Sequence, residues 1–204
     1  MRILVYAIII IFIFSIIAIL KLEKNEVKYI KSTIDGNEYL VRDLPDKQLA
    51  SDLLAHIKTN MTSIINHLND NKDTKYIKNK TYIEQLKKKS AESIINESSP
   101  NSSYTSYSVN KGEQIVFCLR SKYDNKLHDI NLLMYVVLHE LSHVACPEYG
   151  HTVLFKKIFA FITQVAIEMG LYIKIDFAKD PIEYCGLTIS ESIKYVSFIS
   201  WWFT

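Results

Sequence analysis

His139 and His143 stand four residues apart in the order His139-Glu140-Leu141-Ser142-His143, and a third histidine follows at His151. Side chains four residues apart lie one above the other on a helix face, so both imidazoles can reach one metal ion. The glutamate beside the first of them is then placed to act on a water activated by that ion. Three of the chain's six histidines fall within these thirteen residues. The chemistry open to such a set is hydrolysis of a peptide bond by a zinc-activated water, with Glu140 as general acid and base. Glu148 and Glu168 are the alternatives to His151 as third ligand, because some zinc peptidases take a glutamate from the following helix.

Two helices must position these residues. Asn131 to Ala145 (NLLMYVVLHELSHVA) is apolar almost all round, the pattern of a helix buried in a core. Two imidazoles and a carboxylate buried there without partners cost several kcal/mol, and a metal ion satisfies all three. Asp129 offers an N-cap, and Pro147 disfavours helical geometry at Cys146, so the helix ends just past the second histidine. Pro147 to Gly150 supplies a turn that swings His151 back, with Gly150 relaxing the backbone. Thr152 caps the next helix, in which Phe155, Ile158, Phe159, Ile162, Val165, Ala166 and Met169 recur at helical spacing until Gly170.

Upstream, Leu49, Leu53, Leu54, Ile57, Met61, Ile64, Ile65 and Leu68 form one stripe and predict a helix over Asp46–Leu68. A second, more basic helix is expected from Tyr76 to about Asn96. Tyr104 to Val109 alternates like a strand, Asn110 to Gly112 reads as a turn, and Glu113 to Arg120 as the partner strand. The free edge of such a hairpin could hold an extended peptide by main-chain hydrogen bonds; equally, the hairpin could simply cover the core. The fold class is therefore α+β, helices with a small antiparallel sheet. His56 and His67 read as polar-face residues, and Tyr107, Tyr149 and Tyr184 as candidate donors to a tetrahedral oxyanion.

The segment VLHELSHVACPEYGHTVLF resembles the active-site signature of WLM-domain metalloproteases, relatives of the SprT-like proteases. SSPNSSYTSYSVNKGEQIVFCLRS (Ser98 to Ser121) and DPIEYCGLTI (Asp180 to Ile189) are also similar to that family, particularly to its members in large DNA viruses. The likeness covers about Tyr39 to Ile189. It implies a zincin-like metalloprotease domain with His139, His143 and His151 as ligands of Zn2+ and Glu140 as catalytic acid and base. Family members known for cleaving protein crosslinked to DNA carry DNA-binding or small-modifier-binding extensions that have no obvious equivalent here. Proteolysis of such crosslinks on chromatin or viral DNA is thus the alternative function, and a catalytically inactive zinc-binding membrane module is the other.

Charge and hydropathy bound the rest. Lys and Arg number 24 and Asp and Glu 22, a formal charge of +2 with no concentrated basic stripe, so the sequence carries no strong nucleic-acid signal. The lysines at 72, 75, 78, 80, 87, 88 and 89 read as the wet face and connection of a helical pair. Ile3 to Leu20 is uncharged and long enough to span a bilayer, so residues 1–21 are expected to be an uncleaved single-pass transmembrane anchor. Residues 22–38 are expected as a juxtamembrane linker, 39–190 as the metalloprotease domain and 191–204 as an aromatic tail. Lys21, Lys24, Lys28 and Lys31 place the domain on the cytoplasmic side, the membrane being one partner and a protein or peptide substrate the other. Cys118, Cys146 and Cys185, an odd count, suit a reducing compartment as small buried apolar residues. Against that side stand sequons at Asn60, Asn79, Asn96 and Asn101. Trp201 and Trp202 could sit at a bilayer interface, fold back or engage a partner.

Overall fold

A computed structural model describes residues 2–23 and 26–190, so the aromatic tail and its tryptophans lie outside the described residues. The architecture is α+β, as the hydrophobic pattern predicts. Helix α1 (Arg2–Glu23) is followed by the hairpin β1 (Val27–Lys31) and β2 (Glu38–Arg42), then α2 (Lys47–Asp70) and α3 (Lys80–Ser90). Next come β3 (Ile94–Glu97), β4 (Tyr107–Val109) and β5 (Gln114–Phe117), the helices α4 (Ile130–Ala145) and α5 (Val153–Glu168), and a closing hairpin of β6 (Ile182–Tyr184) and β7 (Leu187–Ile189).

The membrane expectation is corrected. Among the described residues no helix is long and apolar enough to cross a membrane. Single-pass localisation, and the cytoplasmic side inferred from the flanking lysines, fall with it.

Two strands lie where other structure was expected. Val27–Lys31, within the stretch read as a linker, pairs antiparallel with β2 in the register Val27 to Arg42 through Lys31 to Glu38. Asp52 of α2 fastens the connecting turn by accepting the Ser32 hydroxyl at 2.8 Å and the Thr33 amide at 2.7 Å. Ile94–Glu97, expected at the end of a helix, pairs parallel with β5. Helix α3 stops at Ser90 because Ile94 and Ile95 are β-branched and fit a pleated strand better than a fourth helical turn. The predicted hairpin is present as β4 and β5, giving a three-stranded sheet in the order β3-β5-β4.

Helix α4 lies in the core and packs against α2, α3 and α5. Leu133, Val137, Leu138, Leu141 and Val144 are fully buried, each contributing about 1.5–3 kcal/mol. Both caps form: Asp129 accepts the amide of Asn131 at 2.8 Å, and Thr152 that of Phe155 at 3.2 Å. In α2 the predicted stripe is buried except for the exposed Leu49 and the partly buried Leu53.

A buried ionic cluster joins β2, β3 and the segment that follows β5. The Glu97 carboxylate accepts the Arg42 amide at 2.7 Å and Arg120 Nε at 2.8 Å. Arg120 Nη1 reaches Asp46 at 2.7 Å and the carbonyl of Asn125 at 3.0 Å. With Glu97 and Arg120 almost fully buried, removing either partner strands a charge in the core, at about 3–5 kcal/mol.

Cys118 and Cys185 form a disulfide with Cα atoms 6.2 Å apart, which ties the β6–β7 turn to the end of β5. The expectation that all three cysteines are unbonded apolar residues is corrected for this pair. Cys146 alone is a free, buried thiol, so the odd count no longer argues for a reducing compartment.

Candidate metal centre

His139 and His143 project from one face of α4, one turn apart, and the loop Cys146–Gly150 returns the chain so that His151 joins them. Their Nε2 atoms form a near-equilateral triangle: His139 to His143 3.1 Å, His143 to His151 3.1 Å, and His151 to His139 2.9 Å. Gly150 makes the return in a left-handed conformation, φ 78°, with no atom within 4 Å of where a β-carbon would stand. Its role is backbone freedom, as its place after Pro-Glu-Tyr predicts.

Three ring nitrogens do not converge in this way for each other's sake. A neutral imidazole has one N–H to give, so three Nε2 atoms at mutual contact leave lone pairs aimed at a common centre, which a cation satisfies. Three corners of a tetrahedron around an ion with Zn–N of about 2.0–2.1 Å are about 3.3 Å apart, close to the observed edges. Among the described residues the metal-capable group consists of these three histidines. Burial pushes His139 down to about 3 and His143 to about 4, helped by the charges of the other ring or rings, so both are held in the neutral, ligating form.

The aromatic residues of α5 hold the rings in place. Phe155 stacks on His143 with centroids 4.2 Å apart and planes at 27°. It meets His139 edge-on at 5.0 Å, and Phe159 meets the same ring at 5.2 Å. Both phenylalanines belong to the predicted apolar stripe, but nothing in that stripe marks them as the wall of a metal site.

Glu140 is buried, only 5% exposed, and burial pushes its carboxyl up to about 7. Tyr184, one of the three tyrosines singled out, is the one whose ionisation is opposed by the Glu140 charge as well as by its own burial. Its hydroxyl shares a 2.5 Å hydrogen bond with Ser106, and its ring lies 5.2 Å from that of His128. Tyr149 is exposed beneath Lys111, and Tyr107 packs on Tyr104 at 5.6 Å.

Neither glutamate weighed as a third ligand joins the cluster. Glu168 pairs with Lys75 at 2.8 Å and accepts from Gln164 at the far end of α5. Glu148 is exposed and lines, with His143, Ser108, Asn110, Lys111, Tyr149 and others, a cavity of about 390 Å³ beside the triangle. His67 is engaged with the Tyr76 hydroxyl at 3.2 Å, and His56 is exposed. Of the lysine series, Lys80 bonds Asp73 and Lys87 bonds Asn66, as a solvated face does. Sequence reasoning passed over Lys111, whose ammonium donates to the carbonyls of Cys146, Pro147 and Glu148 at 2.9, 2.8 and 3.3 Å.

No family model matches the chain, and no solved structure matches it. Among known proteins it is similar to "Uncharacterized protein R325" of Acanthamoeba polyphaga mimivirus, 44% identical over 173 residues, covering 85% of this chain and 87% of that one. It is also similar to protein 136R of Invertebrate iridescent virus 6, 42% identical over 69 residues, 33% of this chain and 38% of that one. Protein 042R of Invertebrate iridescent virus 3 is 41% identical over 83 residues, 40% of this chain and 50% of that one. These relatives are all viral proteins.

Proposed function

This chain belongs to the family of the mimivirus protein R325, and we propose that it is a zinc-dependent metallopeptidase with a zincin-like, WLM-type domain. The observation that carries this reading is the convergence of three Nε2 atoms within 3.1 Å of one another, with the buried carboxylate of Glu140 next in the chain. Three histidines, rather than four protein ligands, leave room for a substrate or water at the ion, the arrangement of catalytic rather than structural zinc.

His139, His143 and His151 would hold the ion through Nε2. A zinc ion bound there supplies Lewis acidity, polarising a carbonyl and easing the ionisation of water. The remaining steps belong to the chain. Glu140 takes one proton from the attacking water as the new carbon–oxygen bond forms, then gives it to the amide nitrogen as the carbon–nitrogen bond breaks. A carboxyl whose proton affinity is raised by burial is suited to both halves of that transfer. Tyr184, whose ionisation is opposed by its burial and by the Glu140 charge, is a candidate to donate its hydroxyl to the developing oxyanion.

Substrate positioning falls to β4. It is an edge strand of the described sheet and packs against α4, and Ser108 with Asn110 beside it lines the same cavity as His143. An extended peptide laid along that edge would bring its main chain past the triangle.

The test is metal analysis of the purified protein together with cleavage of an unstructured protein such as casein, with and without chelator. One equivalent of zinc and cleavage that chelator abolishes and zinc restores are expected. Protein that stays metal-free after zinc reconstitution removes the reading, and stoichiometric zinc without cleavage of any substrate reduces it to a binding site.

A further inference from the structure

We infer that Lys111 is a positioning residue for the third metal ligand, an ammonium strap that closes the loop presenting His151; the inference rests on the zinc reading above. Helix α4 sets the spacing of His139 and His143 by itself. Nothing helical sets His151: it is exposed, and Cys146 to Gly150 separate it from the last turn of α4.

Within that loop the carbonyl oxygens of Cys146, Pro147 and Glu148 face a single Nζ at 2.9, 2.8 and 3.3 Å. An ammonium carries three hydrogens, and three acceptors use all of them. The ring of Tyr149, the next residue along the loop, lies 4.1 Å from the same nitrogen, within the range of a cation–π contact. Four consecutive residues leading to Gly150 and His151 are thus gathered on one charge. Without it, three carbonyl dipoles that converge on one point lose their common donor, and nothing gathers the loop around it. Among the described residues Lys111 has no carboxylate partner to draw it elsewhere.

The strap is anchored at its other end. Asn110, Lys111 and Gly112 all have positive φ, 48°, 54° and 113°, so the β4–β5 turn is tightly wound. Gly112 packs against α4 so closely that a β-carbon there would stand 2.9 Å from Val144 Cγ1. Its carbonyl accepts the Ser93 hydroxyl. The base of the lysine is therefore fixed to the end of α4, and its tip can hold the loop at a set distance from His143.

The experiment compares zinc affinity and the absorption spectrum of the cobalt(II)-substituted protein in the wild type, K111M, Y149L and Q85L. Gln85 caps the carbonyl of Val144 at 2.8 Å, on the same helix end but outside the loop. Expected are zinc binding about 10–100-fold weaker in K111M, the range for groups that orient ligands. A loss of about 2–5-fold is expected in Y149L from the cation–π contact, and none in Q85L. The cobalt spectrum should change in K111M as His151 is loosened, while the metal-free protein melts no lower than Q85L. Wild-type affinity and spectrum in K111M overturn the inference, as does an equal loss in K111M and Q85L. Should K111M not fold, Y149L decides, since its side chain is exposed and unchanged affinity there overturns the strap. A wild type that takes up no zinc fails the metallopeptidase reading instead.

Discussion

His143 and Phe155 lie face to face, centroids 4.2 Å apart at 27°, so a metal-binding ring on α4 is oriented by a core residue of α5. Phe155 is 2% exposed and also touches His139 and His151. Phe155→Ala should therefore cost about 3–5 kcal/mol of stability and weaken zinc binding, whereas Phe155→Leu should keep most of the stability and still lose affinity. Denaturant unfolding and zinc competition, run on both variants, check this; equal affinity in Phe155→Leu and the wild type would confine Phe155 to packing.

Glu140→Gln replaces the buried carboxylate by an amide of the same shape, leaving the three imidazoles untouched. Bound zinc should stay at the wild-type level while turnover drops about 10²–10⁴-fold. Undiminished turnover removes Glu140 from proton transfer.

Asp46 gives the fold a specific acid sensitivity. Its hydrogen bond from Arg120 holds the carboxyl below its ordinary range, so the folded state releases this proton more readily than the unfolded chain. The stability it contributes is fully present above the unfolded carboxylate pKa of about 3.9 and is lost as pH falls through the lower folded value. Between about pH 4 and 2 the wild type should lose stability more steeply than Asp46→Asn. Urea midpoints measured across that window decide it, and parallel pH dependence in the two proteins would mean that the pair does not form.

The cysteines yield a count. Denatured, unreduced protein should titrate one thiol, Cys146, and reduced protein three. With the bonded pair 67 positions apart in sequence, loop-closure entropy assigns the bond about 4 kcal/mol, so without reductant Cys118→Ser should lower the unfolding midpoint far more than Cys146→Ser, which leaves the bond intact. Three titratable thiols before reduction would refute the pairing.

What could be read from the residues alone was local. The ligand spacing on α4, the caps Asp129 and Thr152, the turn at Gly150 and the hairpin of β4 and β5 all depend on neighbours within a few positions, where propensity and periodicity act. The misses were partnerships across the chain. Val27–Lys31 becomes a strand only because Glu38–Arg42 lies beside it, and Ile94–Glu97 only because β5 does. Arg120 finds Glu97 and Asp46, Cys118 finds Cys185, and Lys111 finds carbonyls some 35 residues away. Such pairings carry no periodic signature. The anchor reading of Ile3–Leu20 is overturned separately, since among the described residues no helix is long and apolar enough to cross a membrane.

The Cys118–Cys185 bond encloses α4, the metal loop and α5 in one covalent ring. A backbone scission anywhere inside that ring leaves both pieces stapled together, with the mass of the intact chain plus one water. If this protein trims itself there, the nick stays invisible on an electrophoresis gel until a reductant parts the fragments.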